Sequence, residues 1–491
     1  MVTDTNYRNL TVTVCEVVML RHEQVSETIA HMITSGALSP GDKVPSLRKM
    51  SQDAGVSIST VSQAYINLEH QGVLEARPQS GFYVTEHAVD TPQAPEMKTT
   101  AAEPCCIPFR DLYNTIFSLA GRSDIVPLGA AVPSTSLLPV KGLLRATRRI
   151  MTEEPERVVS YAFPPGVREL REQIALAYTR MNTKVDVDQI IITTGATEAL
   201  ALGLQTVTRP GDVVAVESPT YFSVLKLMQQ LGLMAVEVPT DPETGMDLDA
   251  LDQIMETSDV KAVITVPNFQ NPLGFTMPDE NKQRLVEMLT ARSVPLLEDD
   301  IYGDLHFGDR RPSPCKRFDT KGIVISCGCY SKNIAPGYRV GWVVPGRYYK
   351  EVLERKQAFN SATPTLTQLA VAEFLKSGEY ERSLKRLRAA LKREVGWVRH
   401  MICQHFPSET KVTNPAGGFI LWVELPSNVS GRDLFDEALK KNISVTPGVL
   451  FSSLRHYRNC IRINCGYDQD TVKEDTFITL GKLVKKLALG K

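Results

Sequence analysis

Hydrophobic spacing changes once along the chain, and the change divides it. From His22 the apolar residues Val25, Ile29, Met32 and Ile33 recur at three- and four-residue intervals, which predicts a helix ended by Gly36 and Pro40-Gly41. Pro45-Ser46 announces a second, short helix with Ser46 as its cap and Leu47, Met50 and Ala54 facing inward. Gly55 makes the turn. A third helix follows Ser57, with Ser59 and Thr60 in its first turn, Val61, Ala64, Tyr65 and Leu68 as its apolar stripe, and Gly72 as its stop. Residues 73–76 and 82–84, separated by Arg77-Pro78-Gln79-Ser80-Gly81, read as a hairpin. Ahead of this segment, residues 1–20 show only a short alternating patch, Thr11-Val12-Thr13-Val14; behind it, residues 86–104 turn to Thr, Pro, Ala and charge without sustained periodicity, which predicts an exposed linker.

Beyond the linker, apolar runs of strand length, such as Ile190-Ile191-Ile192, Val213-Val214-Ala215-Val216 and Ile323-Val324-Ile325, alternate with helical stretches. That alternation predicts an α/β domain with a mostly parallel sheet. From about Lys356 a helical stretch carries Leu384, Leu387 and Leu391 and is followed by Gly417-Gly418-Phe419-Ile420-Leu421-Trp422-Val423-Glu424. The expected organisation is an extension (1–20), a helical head (21–86), a linker (87–108) and a body (109–491).

Composition agrees with several soluble domains: 491 residues and 54.4 kDa exceed one ordinary domain, and 43% hydrophobic with 23% charged residues supports a sizeable core. Asp4, Arg8 and Glu16 interrupt any leader-like apolar run, and no membrane-spanning run occurs, so the expected location is the cytoplasm. Nine cysteines, an odd number with no C-x-x-C pair of metal spacing, fit reduced thiols. Net charge is −1, which neither announces nor excludes a nucleic-acid partner.

Three helices and a hairpin, with helix-Gly-helix in the middle, are the parts of a winged helix-turn-helix. The third helix would then present Ser57, Ser59 and Thr60 to base edges or phosphates, and the hairpin tip would reach the backbone with Arg77. A small helical cap on an enzyme is the alternative, and charge favours it: residues 1–86 hold six Lys/Arg against nine Asp/Glu, a balance of −3. DNA affinity would have to come from a local patch of Lys43, Arg48, Lys49 and Arg77. The residues Gly36 to Arg48, Gly55 to Tyr65 and Leu68-Glu69-His70-Gln71-Gly72 closely resemble the GntR-type DNA-binding domain. That resemblance implies DNA contacts at Ser46, Arg48, Ser57, Ser59 and Thr60, and on the wing near Arg77 and Gly81. Many members carry Arg where this chain has Ile58, a departure that bears on the operator sequence.

In the body, five candidate segments lie at carboxyl ends of predicted strands, where open α/β sheets bind ligands. Thr194-Gly195-Ala196-Thr197 opens a helix whose N–H groups can hold a phosphate. Tyr221 can stack on a flat ring, Asn271 can reach a phenolate oxygen, and the cluster Glu298-Asp299-Asp300 can keep a pyridine nitrogen protonated. Gly328-Cys329-Tyr330-Ser331-Lys332-Asn333-Ile334-Ala335-Pro336-Gly337-Tyr338-Arg339-Val340-Gly341-Trp342 sets an amine and a guanidinium on one Gly/Pro-punctuated connection. Lys332 can attack an aldehyde and Arg339 can clamp a phosphate. Singly, a core tyrosine, a turn asparagine, a solvated acidic loop and two exposed cations would account for these residues as well.

Together, the segments resemble fold-type I aminotransferases of the aromatic/aminoadipate kind, and the part from about 356 to 491 resembles their small α+β subdomain. The resemblance implies that Lys332 joins pyridoxal 5′-phosphate (PLP) as a Schiff base and that Asp299 pairs with the pyridine N–H. Asn271 and Tyr302 would contact the ring oxygen, Tyr221 would stack on the ring, and Ala196, Thr197, Ser331 and Arg339 would hold the phosphate. It further implies that Tyr161 reaches the cofactor of a neighbouring subunit, hence a homodimer, and that Arg462 grips a substrate carboxylate. Ala196 and Cys329 depart from the Ser or Thr often found there. A GntR-like head on such a body resembles the MocR subfamily of bacterial transcription regulators over nearly all of residues 22–491. The expectation is a regulator that binds operator DNA and senses a small amino compound or PLP; the alternatives are an active aminotransferase with an added head, or a PLP-binding scaffold.

Overall fold

The computed structural model describes residues 21–34, 37–39, 41–70, 73–77, 80–85, 93–95, 103–107, 111–119 and 121–490. The alternating patch at 11–14, the helix stops at Gly36, Pro40 and Gly72, and most of the expected linker lie outside the described residues. Chain contacts divide the molecule into two compact units, residues 1–91 and 92–491.

In the first unit, helices Arg21–Thr34, Leu47–Ala54 and Ile58–His70 precede an antiparallel hairpin, Leu74–Arg77 with Gly81–Val84, in which Leu74 faces Val84 and Arg77 faces Gly81. Its core is the set that the spacing selects: Val25, Ile29, Ile33, Met50, Val61, Ala64, Tyr65 and Leu68, joined by Leu38, Val44, Leu74 and Val84. Tyr65 is fully buried, and its hydroxyl donates to the Pro45 carbonyl at 2.7 Å, so the ring costs the core no unpaired polar group. Ser46 caps its helix by accepting the Lys49 N–H at 3.3 Å. Gly55 ends that helix in the left-handed region, at φ 64°, where a side chain would be strained. Ala54, expected inside, is exposed, because the eight-residue helix ends there and turns its last residue outward.

The second unit is built on a nine-stranded mixed sheet. Its five central strands, Met234–Asp241, Val213–Ser218, Val260–Thr265, Leu296–Asp299 and Val324–Cys329, run parallel in that spatial order. Gly341–Val344 pairs antiparallel to Val324–Cys329, and Ile191–Thr193 pairs antiparallel to Gly341–Val344. Val214, Ala215, Val216, Val263, Leu296, Leu297, Val324 and Ile325 are buried without alternation, as expected for a parallel sheet covered on both faces. The end of the stretch read as linker joins this sheet: Cys105–Cys106 pairs with Ala235 and Met234 at the edge.

Helix Thr365–Lys376 packs on Val140–Glu153 and Arg168–Arg180, and Tyr349–Phe359 packs on Ala196–Val207. A four-stranded antiparallel sheet, Lys411–Val412, Ile420–Glu424, Cys460–Asn464 and Thr446–Pro447, follows the long helix Glu379–His405 and is joined by helices Gly431–Leu439 and Glu474–Ala488.

Candidate functional site

The carboxyl ends of the parallel strands converge on a cavity of about 240 Å³ in the second unit. Ala196, Thr197, Tyr221, Asp299, Tyr302, Ser331, Lys332, Arg339 and Arg462 all line it, so residues far apart in sequence meet at one place. Asn271 joins them through hydrogen bonds: its amide nitrogen lies 3.5 Å from the Tyr302 hydroxyl, and its Oδ1 accepts from Arg462 Nη1 at 3.2 Å. Tyr161 is not brought to this cavity; it is 75% exposed beside Phe163, with the ring centroids 5.4 Å apart.

Lys332 follows the buried strand Val324–Cys329. Its ammonium donates to the Ala131 carbonyl at 2.7 Å and stands 5.8 Å from the Tyr302 ring centre. Burial holds its pKa below the ordinary lysine value, and Arg462 and Arg339 act in the same sense, whereas Cys329 and Asp299 oppose it. The amine is therefore easier to deprotonate, which a nucleophile needs.

One end of the cavity is built for an anion. Helix Ala196–Val207 starts there, with Ala196 and Thr197 lining the cavity, and no side chain caps it, so no side-chain acceptor is spent on the N–H groups of its first turn. Gly195 has φ 80°, and a Cβ on it would collide with the Arg339 guanidinium. Arg339 reaches this end by donating to Ser331 Oγ at 3.3 Å and to the Thr194 carbonyl at 3.2 Å. A helix start, a hydroxyl and a guanidinium around a glycine suit a phosphate dianion.

The other end is built for a cationic N–H. Glu298, Asp299 and Asp300 are consecutive and buried, so the solvated-loop alternative fails. Glu298 accepts the backbone N–H groups of Cys315 and Lys316, and Asp300 pairs with Arg311 at 2.7 Å. Asp299 lines the cavity, and its Oδ1 is buried with no partner among the described residues. Burial, then the Asp300 charge, pushes its carboxyl up to about 7, with Lys332 pulling the other way. A protonated ring nitrogen would supply the missing partner and return the carboxylate to its ionised form.

Arg462 is fully buried, donates to the carbonyl of Gly129 and to Thr446 Oγ1, and lies 5.5 and 5.3 Å from the Phe222 and Phe451 ring centres. Its Nε has no partner among the described residues. Several lining residues carry no sequence signal: Ile116, Phe117 and Ala130-Ala131-Val132 arrive from the segment ahead of the sheet, with no charge or punctuation to mark them. Glu217, an isolated carboxylate at a strand end, gives no local signal either. It accepts from Thr265 Oγ1, Val266 N–H and Gln270 Nε2 at 2.6, 3.0 and 2.9 Å, and so ties two strand ends together.

In the first unit, the expected DNA-contacting residues fall at exposed positions except Thr60, which is half-buried. Ser57 Oγ accepts the Thr60 N–H at 3.1 Å, capping the third helix, and lies 2.8 Å from Ser59 Oγ and 2.7 Å from Thr60 Oγ1. Arg48 is exposed, as is Ser46, whose hydroxyl is engaged in its cap. Arg77 pairs with Glu75 and its guanidinium stands 4.3 Å over the Tyr83 ring, with Lys43 Nζ 5.8 Å from the same ring. Gly81 sits at the hairpin turn at φ 108°.

The family model for aminotransferase class I and II matches residues 123–474, and that for bacterial regulatory proteins of the gntR family matches residues 21–84. The HTH-type transcriptional regulator YjiR of Escherichia coli is 37% identical over 466 residues, covering 95% of this chain and 99% of that protein. This chain belongs to the GntR-type transcription regulators with an aminotransferase-class body. A second such regulator, YdcR of E. coli, is 36% identical over 471 residues, covering 95% of this chain and all of that one. For the body alone, the α-aminoadipate aminotransferase LysN of Thermus thermophilus, solved with N-(5′-phosphopyridoxyl)-L-leucine, superposes with a TM-score of 0.72 at 29% identity, covering 77% of this chain and 96% of that one. The body of this GntR-type regulator therefore has the fold of the PLP-dependent fold-type I aminotransferases.

Proposed function

We propose that this regulator, of the MocR layout, binds operator DNA as a homodimer, holds PLP in its body through Lys332, and responds to a small amino compound or to PLP itself. The observation that carries the reading is the meeting, in one cavity, of the Lys332 amine, an uncapped helix start beside Arg339, and the unpartnered Asp299 carboxylate. PLP, when bound, supplies an aldehyde that captures amines and a ring that withdraws electrons. The chain's own residues do the rest. Lys332 offers a poised amine, Ser331 and Arg339 with the helix start hold the phosphate, and Asp299 keeps a proton on the ring nitrogen. Asn271 and Tyr302 would contact the ring oxygen, and Tyr221 would stack on the ring. Arg462, its guanidinium already oriented by Gly129, Thr446 and Asn271, takes an incoming carboxylate.

In the head, Ser46, Arg48, Ser57, Ser59 and Thr60, with Arg77 and Gly81 on the wing, contact the DNA. Exposure of Tyr161 and Phe163, 75% and 64%, supports a role for this loop against a second copy of the chain. The location that suits these roles is the cytoplasm; among the described residues no helix is long and apolar enough to cross a membrane. A ligand shifts DNA affinity only by binding two arrangements of the protein unequally. The test is gel retardation of the intergenic DNA upstream of the gene, with and without PLP and amines. Retardation that changes with PLP or an amine is expected; no retardation at low salt under any ligand overturns the regulator reading.

The presence of both Lys332 and Arg462 in the cavity favours a second reading, turnover of amino acids. Multiple turnovers of an amino acid with a keto acid, and no effect on DNA, would support it over sensing.

A further inference from the structure

Behind the Lys332 cavity lies a second one, of about 220 Å³, and a thin partition separates the two. Ile301 and Cys329 line both. Around them the chain alternates: Asp299, Ser331 and Lys332 line the first cavity, whereas Asp300, Tyr330 and Asn333 line the second. The space equals roughly seven waters at about 30 Å³ each, too large for a packing defect and small for a drug-sized ligand.

Most of its polar groups are already paired. Arg311 takes Asp300 at 2.7 Å and Asp304 at 2.6 Å, and Arg180 takes Glu381 at 2.6 Å. Tyr380 and Asn333 Nδ2 both donate to Asp304 Oδ2, at 2.7 and 3.1 Å. Among the groups left over are three that can hold a polar ligand. Asn333 is 3% exposed, yet its Oδ1 has no partner among the described residues. The Tyr330 hydroxyl makes no hydrogen bond among them either, and Arg388 spends only its Nε, on the Asp304 carbonyl at 2.6 Å, leaving both terminal amino groups free of the described residues. A buried acceptor without a donor is costly, and an oriented guanidinium with open donors is an anion site.

The charges lining the cavity balance, with Arg180, Arg311 and Arg388 against Asp300, Asp304 and Glu381. A ligand with a net charge would upset that balance, but one carrying both signs would not. The walls are aromatic: Tyr330 lies 4.9 Å from Trp342 and 6.1 Å from Tyr380, centre to centre. We propose that this cavity is a second ligand site, for a zwitterionic amino acid with an apolar side chain, its carboxylate on Arg388, its ammonium on Asn333 Oδ1 and its side chain among Tyr330, Trp342 and Tyr380. The site is independent of covalent capture at Lys332.

The test is calorimetric titration of the full-length chain with L-phenylalanine, and with phenylpropionate and phenethylamine, which each lack one charge. Lys332→Ala removes capture at the first cavity. Arg388→Gln removes the anion site, and Ala177→Phe fills the second cavity from helix Arg168–Arg180 without touching the first. The expected result is saturable binding of one L-phenylalanine per chain in Lys332→Ala, at least tenfold weaker when Arg388→Gln or Ala177→Phe is added to it; any further binding in wild type is capture at the first cavity. Both single-charge analogues should bind at least tenfold more weakly. The proposal is overturned by no saturable binding at millimolar concentration, by binding lost in Lys332→Ala, by binding that both cavity variants leave unchanged, or by either analogue binding as well as the amino acid.

Discussion

Asp299 shows how one carboxylate among three becomes available. Glu298 is spent on backbone N–H groups and Asp300 on Arg311, while Asp299 Oδ1 is buried without a partner among the described residues. Its raised pKa of about 7 means that the folded, cofactor-free protein holds this proton more tightly than the unfolded chain does. The stabilising contribution is therefore complete below the unfolded value near 4 and lost as pH rises through about 7. Glu217, also held up to about 7, titrates in the same sense, so a substitution must isolate Asp299. Thermal melts of cofactor-free Asp299→Asn against wild type should show the variant gaining relative stability between about pH 4 and pH 7, by at most about 1.4 kcal/mol per pH unit. Parallel pH profiles would show that Asp299 does not carry this proton. The acidic cluster itself was legible in the sequence, but which of its members stays unpaired depends on Cys315, Lys316 and Arg311, which reach it only in the fold.

Among elements, the start of helix Ala196–Val207 matters most. Gly195 allows the Arg339 guanidinium to lie against the backbone there, and a methyl group at that position would both clash and occupy the left-handed region. Gly195→Ala should therefore weaken PLP binding roughly 10- to 100-fold, about 1.4 to 2.8 kcal/mol, read by titrating absorbance; unchanged affinity would remove the helix start from the phosphate site. In the head, Ser57 caps the third helix. Ser57→Ala should cost about 1 kcal/mol, seen as roughly fivefold lower hydrogen-exchange protection across Ile58–His70. Elements with strong local signals were legible: the stripe Val61, Ala64, Tyr65 and Leu68 is buried as a set, as are the apolar strands of the parallel sheet. Short pieces were not. Cys105–Cys106 and Val126–Pro127 become strands only because Met234–Asp241 and Ile443–Ser444 offer free edges, which no local pattern announces. Likewise, helix Thr365–Lys376 packs back on Val140–Glu153 and Arg168–Arg180, partners some two hundred residues upstream, although it lies beyond residue 356, where the small subdomain is expected to start.

For the molecule as a whole, a net charge of −1 means that DNA affinity cannot come from the overall field and must come from a few placed cations. Arg48→Ala should lower DNA affinity by a similar factor on different sequences and reduce the slope of log affinity against log salt by about 1; an unchanged slope would take Arg48 off the phosphate backbone. The broad layout was legible because each half carries a dense set of local signals, whereas the second cavity was not, since its lining comes from several separated stretches between Gln173 and Arg388. The role of the body turns on one amine, Lys332, joining the cofactor inside a DNA-binding regulator. Mass analysis of peptides from protein incubated with PLP and reduced with borohydride reads that bond directly. A visible-range chromophore before reduction and a phosphopyridoxyl mass on Lys332 are expected, both absent in Lys332→Ala; no chromophore, or a label spread over other lysines with Lys332 unmodified, would contradict it.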